Sequence, residues 1–120
     1  MNKIKVMIVD DHTLVRDGMR ALLELVDDFE VVGEAANGKE AYEKVKGLLP
    51  DVVLMDLAMP VMTGLEATRK IRKEFPHTKI IAVTQHEDTE YVAPIIRAGA
   101  LGFVTKMAAS SEIISAIRAV

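Results

Sequence analysis

The chain has 120 residues, half of them hydrophobic and 28% charged, which fits one soluble domain large enough to bury a core without covalent staples. Eighteen acidic against 15 basic residues leave a net charge of -3, so these residues offer no basic footprint for nucleic acid. The absence of cysteine excludes disulfides and thiolate metal sites, two acids interrupt the first apolar stretch too early for a secretory leader, and no apolar run is long enough to span a membrane, so a cytoplasmic location is expected.

The first apolar run, KVMIV at 5–9, does not alternate with polar residues, which suits a strand buried on both faces, and it ends at Asp10 and Asp11. Val15, Met19, Leu22, Leu23 and Val26 then repeat at helical spacing. FEVVGEAA at 29–36 is more polar and suits an edge strand. Asn37 opens a second helix carrying Ala41, Val45 and Leu48, and Pro50 follows it. Asn-Gly at 37–38 is also a hairpin signal, but the residues after it keep a period of 3.6 rather than 2. DVVLM at 51–55 is the third strand, ending at Asp56; Thr63 and Glu66 form a T-x-x-E capping box for a helix with Leu65, Thr68, Ile71 and Phe75, and Pro76 closes it. KIIAV at 79–83 runs into Thr84. The fourth helix is expected within EDTEYVAPIIRAG, where an interior Pro94 removes a hydrogen bond and meets the carbonyl of Glu90, so this helix should be bent, shortened or shifted. LGFV at 101–104 is the last strand, Lys106 follows it, and Ile113, Ile114, Ile117 and Val120 mark the last helix.

Five alternating βα units imply an α/β fold, with a parallel sheet, right-handed crossovers and helices on both faces. Ligands in such sheets bind beyond the carboxyl ends of the strands. Those ends carry Asp10 and Asp11, Asp56, Thr84 and Lys106. Taken singly, each has an ordinary explanation: a helix cap, a turn acid, a β-branched strand end, a solvated charge. Taken together, three carboxylates in one cleft repel one another unless a cation compensates. Carboxylate and backbone oxygens completed by water suit Mg2+, whereas the lack of cysteine and of any H-x-x-x-H pair argues against zinc. Magnesium beside a carboxylate and a lysine suggests phosphoryl transfer with Asp56 as nucleophile.

The segments IVDDHTLVRDGMRALL, DVVLMDLAMPVMTGLEATRKIR, IIAVT and RAGALGFVTK, in this order and spacing, resemble the receiver domain of two-component response regulators across essentially the whole chain. DDHTLVRDGMRALLE and MPVMTGLEATRKI are most similar to the subgroup joined to a LuxR-type helix-turn-helix DNA-binding domain. The resemblance implies a flavodoxin-like (βα)5 fold, a doubly wound five-stranded parallel sheet in the order 2-1-3-4-5. It also implies that Asp56 accepts a phosphoryl group from a sensor histidine kinase, and that Asp10, Asp11, Asp56 and the backbone carbonyl of Ala58 hold Mg2+, with Asp11 the more direct ligand of the pair. Lys106 matches the lysine that pairs with the phosphoryl oxygens, Thr84 the hydroxyl that moves to bond one of them, and Phe103 the aromatic switch position. Such a domain catalyses only its own phosphorylation and dephosphorylation, pairs as a homodimer when phosphorylated, and reaches DNA only through a C-terminal domain; no membrane partner is implied.

Other readings remain beside this one. An aspartyl-phosphate phosphatase would need a second acid two residues after the nucleophile, where this chain has Ala58. A pseudo-receiver would have little reason to keep all five polar strand-end residues, and a nucleotide-binding flavodoxin-like protein would carry a glycine-rich loop where this chain has DDH. Phe103 has the alternative of an ordinary core aromatic. His12, His77 and His86 share no ligand spacing and read as surface residues. The peptide from Lys106 to Met107, where many receivers have a cis proline, is left open. The chain stops at SAIRAV without a cap or polar tail, which reads as a domain, 1–120, cut from a longer protein; the alternative is a free-standing receiver in chemotaxis or a phosphorelay.

Overall fold

A computed structural model describes residues 3–57, 59–84, 90, 92–106, 108 and 110–120. Strands β1 (Ile4–Val9), β2 (Phe29–Ala35), β3 (Val52–Asp56), β4 (Lys79–Thr84) and β5 (Gly102–Thr105) alternate with helices α1 (Thr13–Glu24), α2 (Gly38–Leu48), α3 (Gly64–Glu74), α4 (Val92–Arg97) and α5 (Ser110–Ala119). All strand pairs are parallel and the order is β2-β1-β3-β4-β5, the expected doubly wound sheet.

The unbroken apolar runs follow from a sheet covered on both sides. Met7, Val9, Val53, Met55, Ile80 and Ala82 pack with Ala41 and Val45 of α2, Ala67 and Ile71 of α3 and Ile95 of α4. Their strand neighbours Val6, Ile8, Val52, Leu54, Ile81 and Val83 pack on the other face with Leu23 of α1 and Ile113 and Ile117 of α5. Successive strand side chains point to opposite faces, so from Val6 on β1 and Val52 on β3 no position is polar until the strand leaves the sandwich. Burying each such side chain stabilises the fold by about 1.5–3 kcal/mol. The edge strand β2 is more polar, and its pairing with β1 slips between Val6 and Met7, so that Val32 is the extra residue of a bulge.

Local punctuation acts as the sequence indicates. The Asn37 side chain accepts from the Glu40 backbone N–H at 2.9 Å, which makes residue 37 a helix cap and removes the hairpin alternative. Thr63 and Glu66 complete the reciprocal capping box of α3. Helix α4 is short, six residues, and Pro94 sits in its first turn, where a missing N–H costs no intrahelical bond. No helix among the described residues is long and apolar enough to cross a membrane.

Candidate functional site

The sheet winds one way from β1 to β2 and the other way from β1 to β3, so the crevice at their carboxyl ends is the switch point of the fold. Asp10 extends β1 by one residue, its N–H donating to the Ala35 carbonyl at 3.0 Å. Asp56 is the last residue of β3, beside Val83 of β4. Thr84 ends β4, and its carbonyl accepts from the Lys106 N–H at 2.8 Å, which ties the exit of β5 to that of β4. Close packing at the end of β3 depends on Gly64: a Cβ there would lie 2.0 Å from the Asp56 carbonyl oxygen.

Asp10 and Asp56 are buried, 1% and 2% exposed, and Asp11 is half-buried beside them. Lys106 Nζ lies 3.1 Å from Asp10 Oδ2 and 3.4 Å from Asp56 Oδ1. Burial, followed by the charge of Asp10, pushes the Asp56 carboxyl up to about 6, and Lys106 only partly opposes this. Burial pulls the Lys106 ammonium down, but its hydrogen bond to Asp10 and the charge of Asp56 outweigh that and leave it above the ordinary lysine range. One lysine thus leaves the acids short of positive charge. Asp56 Oδ2 is buried without a hydrogen-bond partner, Asp10 Oδ2 meets the Lys106 ammonium and Asp11 Oδ1 the His12 ring, and one ligand atom from each of Asp10, Asp11, His12 and Asp56 falls within 4.8 Å of the others. Carboxylate oxygens converging in this way fit a hard divalent cation.

The site therefore brings together Asp10, Asp11, Asp56 and Lys106. Thr84 stands at the same end of the sheet, 4% exposed, with its hydroxyl donating to the Val104 carbonyl at 3.5 Å. Phe103 does not join the cluster: it is 48% exposed and borders a groove with Ser111 and Ser115 of α5, which excludes the core-aromatic alternative. Ala58, His86 and Met107, and with Met107 the peptide after Lys106, lie outside the described residues. Neither acid of the pair caps α1. His12 is the N-cap without a side-chain bond, and Asp10 Oδ1 instead accepts from the His12 N–H at 2.9 Å in an Asx turn.

Three features were not anticipated from sequence. His12, 60% exposed, turns its ring onto the acids, with Nδ1 3.1 Å from Asp10 Oδ1 and 3.2 Å from Asp11 Oδ1. Arg16 donates from Nη1 to the Asp10 carbonyl at 2.5 Å and from Nε to Glu34 at 3.2 Å, bracing the turn against β2. Val61 has φ 70°, and the Met62 N–H donates to the Pro60 carbonyl at 2.8 Å, a γ-turn of the rarer positive-φ kind in the loop between β3 and α3. His12 and Arg16 both fall within the motif that follows β1, but only the folded turn shows where their side chains go. Beside this loop a cavity of about 520 Å³, walled by Leu57, Met59, Leu65 and Ile95, reaches Asp11.

The family description "Response regulator receiver domain" matches residues 6–118. The chain is similar to the response regulator GacA of Pseudomonas syringae pv. syringae (strain B728a), 47% identical over 117 residues that cover 98% of this chain and 55% of GacA. It is equally similar to the transcriptional regulatory protein LiaR of Bacillus subtilis (strain 168), 47% identical over 116 residues, 97% of this chain and 55% of LiaR. The chain thus spans about half the length of these curated relatives. A crystal structure of a LuxR-family two-component response regulator from Aurantimonas sp. SI85-9A1 superposes with a TM-score of 0.92 at 40% identity, covering 98% of this chain and 84% of that one. With this fold and these relatives, the chain belongs to the response regulator receiver domain family and is the receiver domain of a two-component response regulator.

Proposed function

We propose that this receiver takes a phosphoryl group on Asp56 from a phosphohistidine of a sensor kinase, with Mg2+ as the cofactor, and turns the added charge into a change of output surface. The observation that carries this reading is Asp56 itself, a buried strand-end carboxylate with Oδ2 unpartnered and Oδ1 3.4 Å from an ammonium. With its pKa at about 6, it is mostly ionised at pH 7 and keeps a lone pair for attack. As an Asp56 oxygen bonds to phosphorus, the P–N bond to the donor imidazole breaks; the nitrogen leaves with the bonding pair and takes a proton from solvent.

Asp10, Asp11 and Asp56 would hold Mg2+, which when bound supplies the missing positive charge to the carboxylates and to the phosphoryl oxygens. Asp11, more open than Asp10 and with Oδ1 facing only the exposed His12 ring, suits direct ligation, while Asp10 already shares its oxygens between Lys106 and the His12 turn. Lys106 would exchange part of its contact with Asp56 for a phosphoryl oxygen. Thr84 loses little by joining it, because its present bond at 3.5 Å is at the outer limit of a hydrogen bond. Its inward move vacates space next to β5, and the exposed Phe103 ring is the side chain placed to respond.

The names of the relatives support a transcriptional output: LiaR is a transcriptional regulatory protein, and the Aurantimonas structure is of the LuxR family. On this reading a C-terminal DNA-binding domain follows residues 1–120 in the whole protein, phosphorylation favours a C2 homodimer, and the protein works in the cytoplasm. Its only chemistry is phosphoryl uptake and loss on Asp56. The test is incubation with Mg2+ and acetyl phosphate followed by intact mass. A gain of one phosphoryl group by the wild type and none by Asp56→Asn supports the reading, and equal gain by both refutes it.

A further inference from the structure

We infer that His12 is a nitrogen ligand of the same cation site, raising its affinity for borderline first-row ions such as Zn2+ without contributing to Mg2+. This rests on reading the acid cluster as a cation site. His12 Nδ1 stands 3.1 Å from Asp10 Oδ1 and 3.2 Å from Asp11 Oδ1, and one ring nitrogen of His12 belongs with one oxygen each of Asp10, Asp11 and Asp56 to a set of four ligand atoms within 4.8 Å of one another. Independent support for a bound cation comes from Oδ2 of Asp56, buried and without a hydrogen-bond partner. Tetrahedral zinc with bonds of about 2.0–2.2 Å places its ligand atoms about 3.3–3.6 Å apart, so the most distant of these four atoms must close by roughly an ångström, and the His12 ring, 60% exposed, is free to turn inward.

The chemistry separates the two ions. Magnesium takes oxygen and keeps several waters, so an exposed imidazole at the rim adds nothing to its shell. Zinc accepts imidazole readily, and one histidine with carboxylates is a donor set it uses. A search for paired histidines or cysteines overlooks such a set, because three of its four ligands are acids that already have another explanation. The ring is also positioned by the chain: the Asx turn of Asp10 holds the His12 backbone at 2.9 Å, and Arg16 holds the Asp10 carbonyl at 2.5 Å. The consequence is a receiver in which zinc displaces magnesium from the phosphoacceptor pocket more effectively than the carboxylates alone would allow.

Calorimetric titration of the unphosphorylated protein with Zn2+ and, separately, with Mg2+ tests this, using wild type, His12→Ala, His12→Gln and Asp11→Ala. Loss of at least tenfold in Zn2+ affinity for both His12 variants, with Mg2+ affinity within twofold, is the expected result. Cu2+ bound at the site should show nitrogen hyperfine structure in its electron paramagnetic resonance spectrum for wild type and none for His12→Ala. Unchanged Zn2+ affinity in the His12 variants, or an equal loss for both ions, overturns the inference. If instead Asp11→Ala leaves both ions unaffected, the cation site itself is misplaced and the reading beneath the inference fails with it.

Discussion

Lys106 lies 3.4 Å from Asp56 and yet does not neutralise it: burial and Asp10 still push the Asp56 carboxyl up to about 6. The folded protein therefore binds more protons than the unfolded chain between the ordinary aspartate value of 3.8 and about 6. Without metal, the contribution of Asp56 to stability should fall as pH rises through that window, by roughly 3 kcal/mol in all. Urea unfolding at pH 4.5 and 7 should show a steeper loss for wild type than for Asp56→Asn. At pH 7 the variant should be more stable by about 1–3 kcal/mol, with the gap narrowing when Mg2+ is added.

Removing the internal cation should favour the external one. Lys106→Ala deprives Asp10 and Asp56 of the ammonium at 3.1 and 3.4 Å, so Mg2+ should bind a few-fold to tenfold more tightly, on the order of 1 kcal/mol. The same variant should take up phosphoryl groups more slowly, because nothing replaces the lysine at the phosphoryl oxygens. Weaker magnesium binding by calorimetry would mean that Lys106 organises the acids rather than competing for them.

Gly64 is the residue on which the position of Asp56 depends most directly. At the first position of α3, alanine would ordinarily strengthen a helix, but a Cβ there meets the Asp56 carbonyl at 2.0 Å and the Leu57 Cα at 2.8 Å. Backbone has to move, so Gly64→Ala should cost about 1–3 kcal/mol in denaturant unfolding and slow labelling of Asp56 by tenfold or more. A variant as stable and as reactive as wild type would show that the β3–α3 approach is slack.

Thr84 should separate chemistry from response. Thr84→Ala removes a hydroxyl whose bond to Val104 is already long at 3.5 Å, so stability should change by less than about 1 kcal/mol and phosphoryl uptake should stay within a few-fold. Amide exchange should differ more: phosphorylation of wild type is expected to change protection in residues 84–106, including α4, and the variant should lose most of that change. Changes confined to α2 would place the output on the opposite side.

The sheet was legible because burial on both faces leaves its mark on the central strands: VVLM at 52–55 has no polar position until Asp56, where the chain leaves the sandwich. Asn37, Thr63 with Glu66, and Pro94 were legible because each acts within three or four residues of itself. The meeting of Asp10, Asp11, Asp56 and Lys106 followed from topology alone, since parallel strands put all their carboxyl ends on one side. Side-chain direction did not follow. His12 is exposed, as a surface residue should be, yet its ring turns onto Asp10, and Arg16 reads as one more helix charge until its reach to the Asp10 carbonyl is seen. Val61 is hidden for another reason: a β-branched residue is a poor candidate for φ 70°, and only the closure of the β3–α3 loop requires it. The outward Phe103 was likewise beyond periodicity, which reads an aromatic on a strand as core.

The central claim is that the new covalent bond forms on one carboxylate, Asp56. An acyl phosphate, unlike a free carboxylate, is reduced by borohydride to the alcohol, so treating the Mg2+ and acetyl phosphate product with borohydride and sequencing its peptides by mass spectrometry identifies the residue. The expected result is homoserine in place of aspartate at position 56, absent when Mg2+ or the phosphodonor is omitted. Homoserine at position 10 or 11, or at none of the three under conditions where intact mass shows a phosphoryl group, would contradict it.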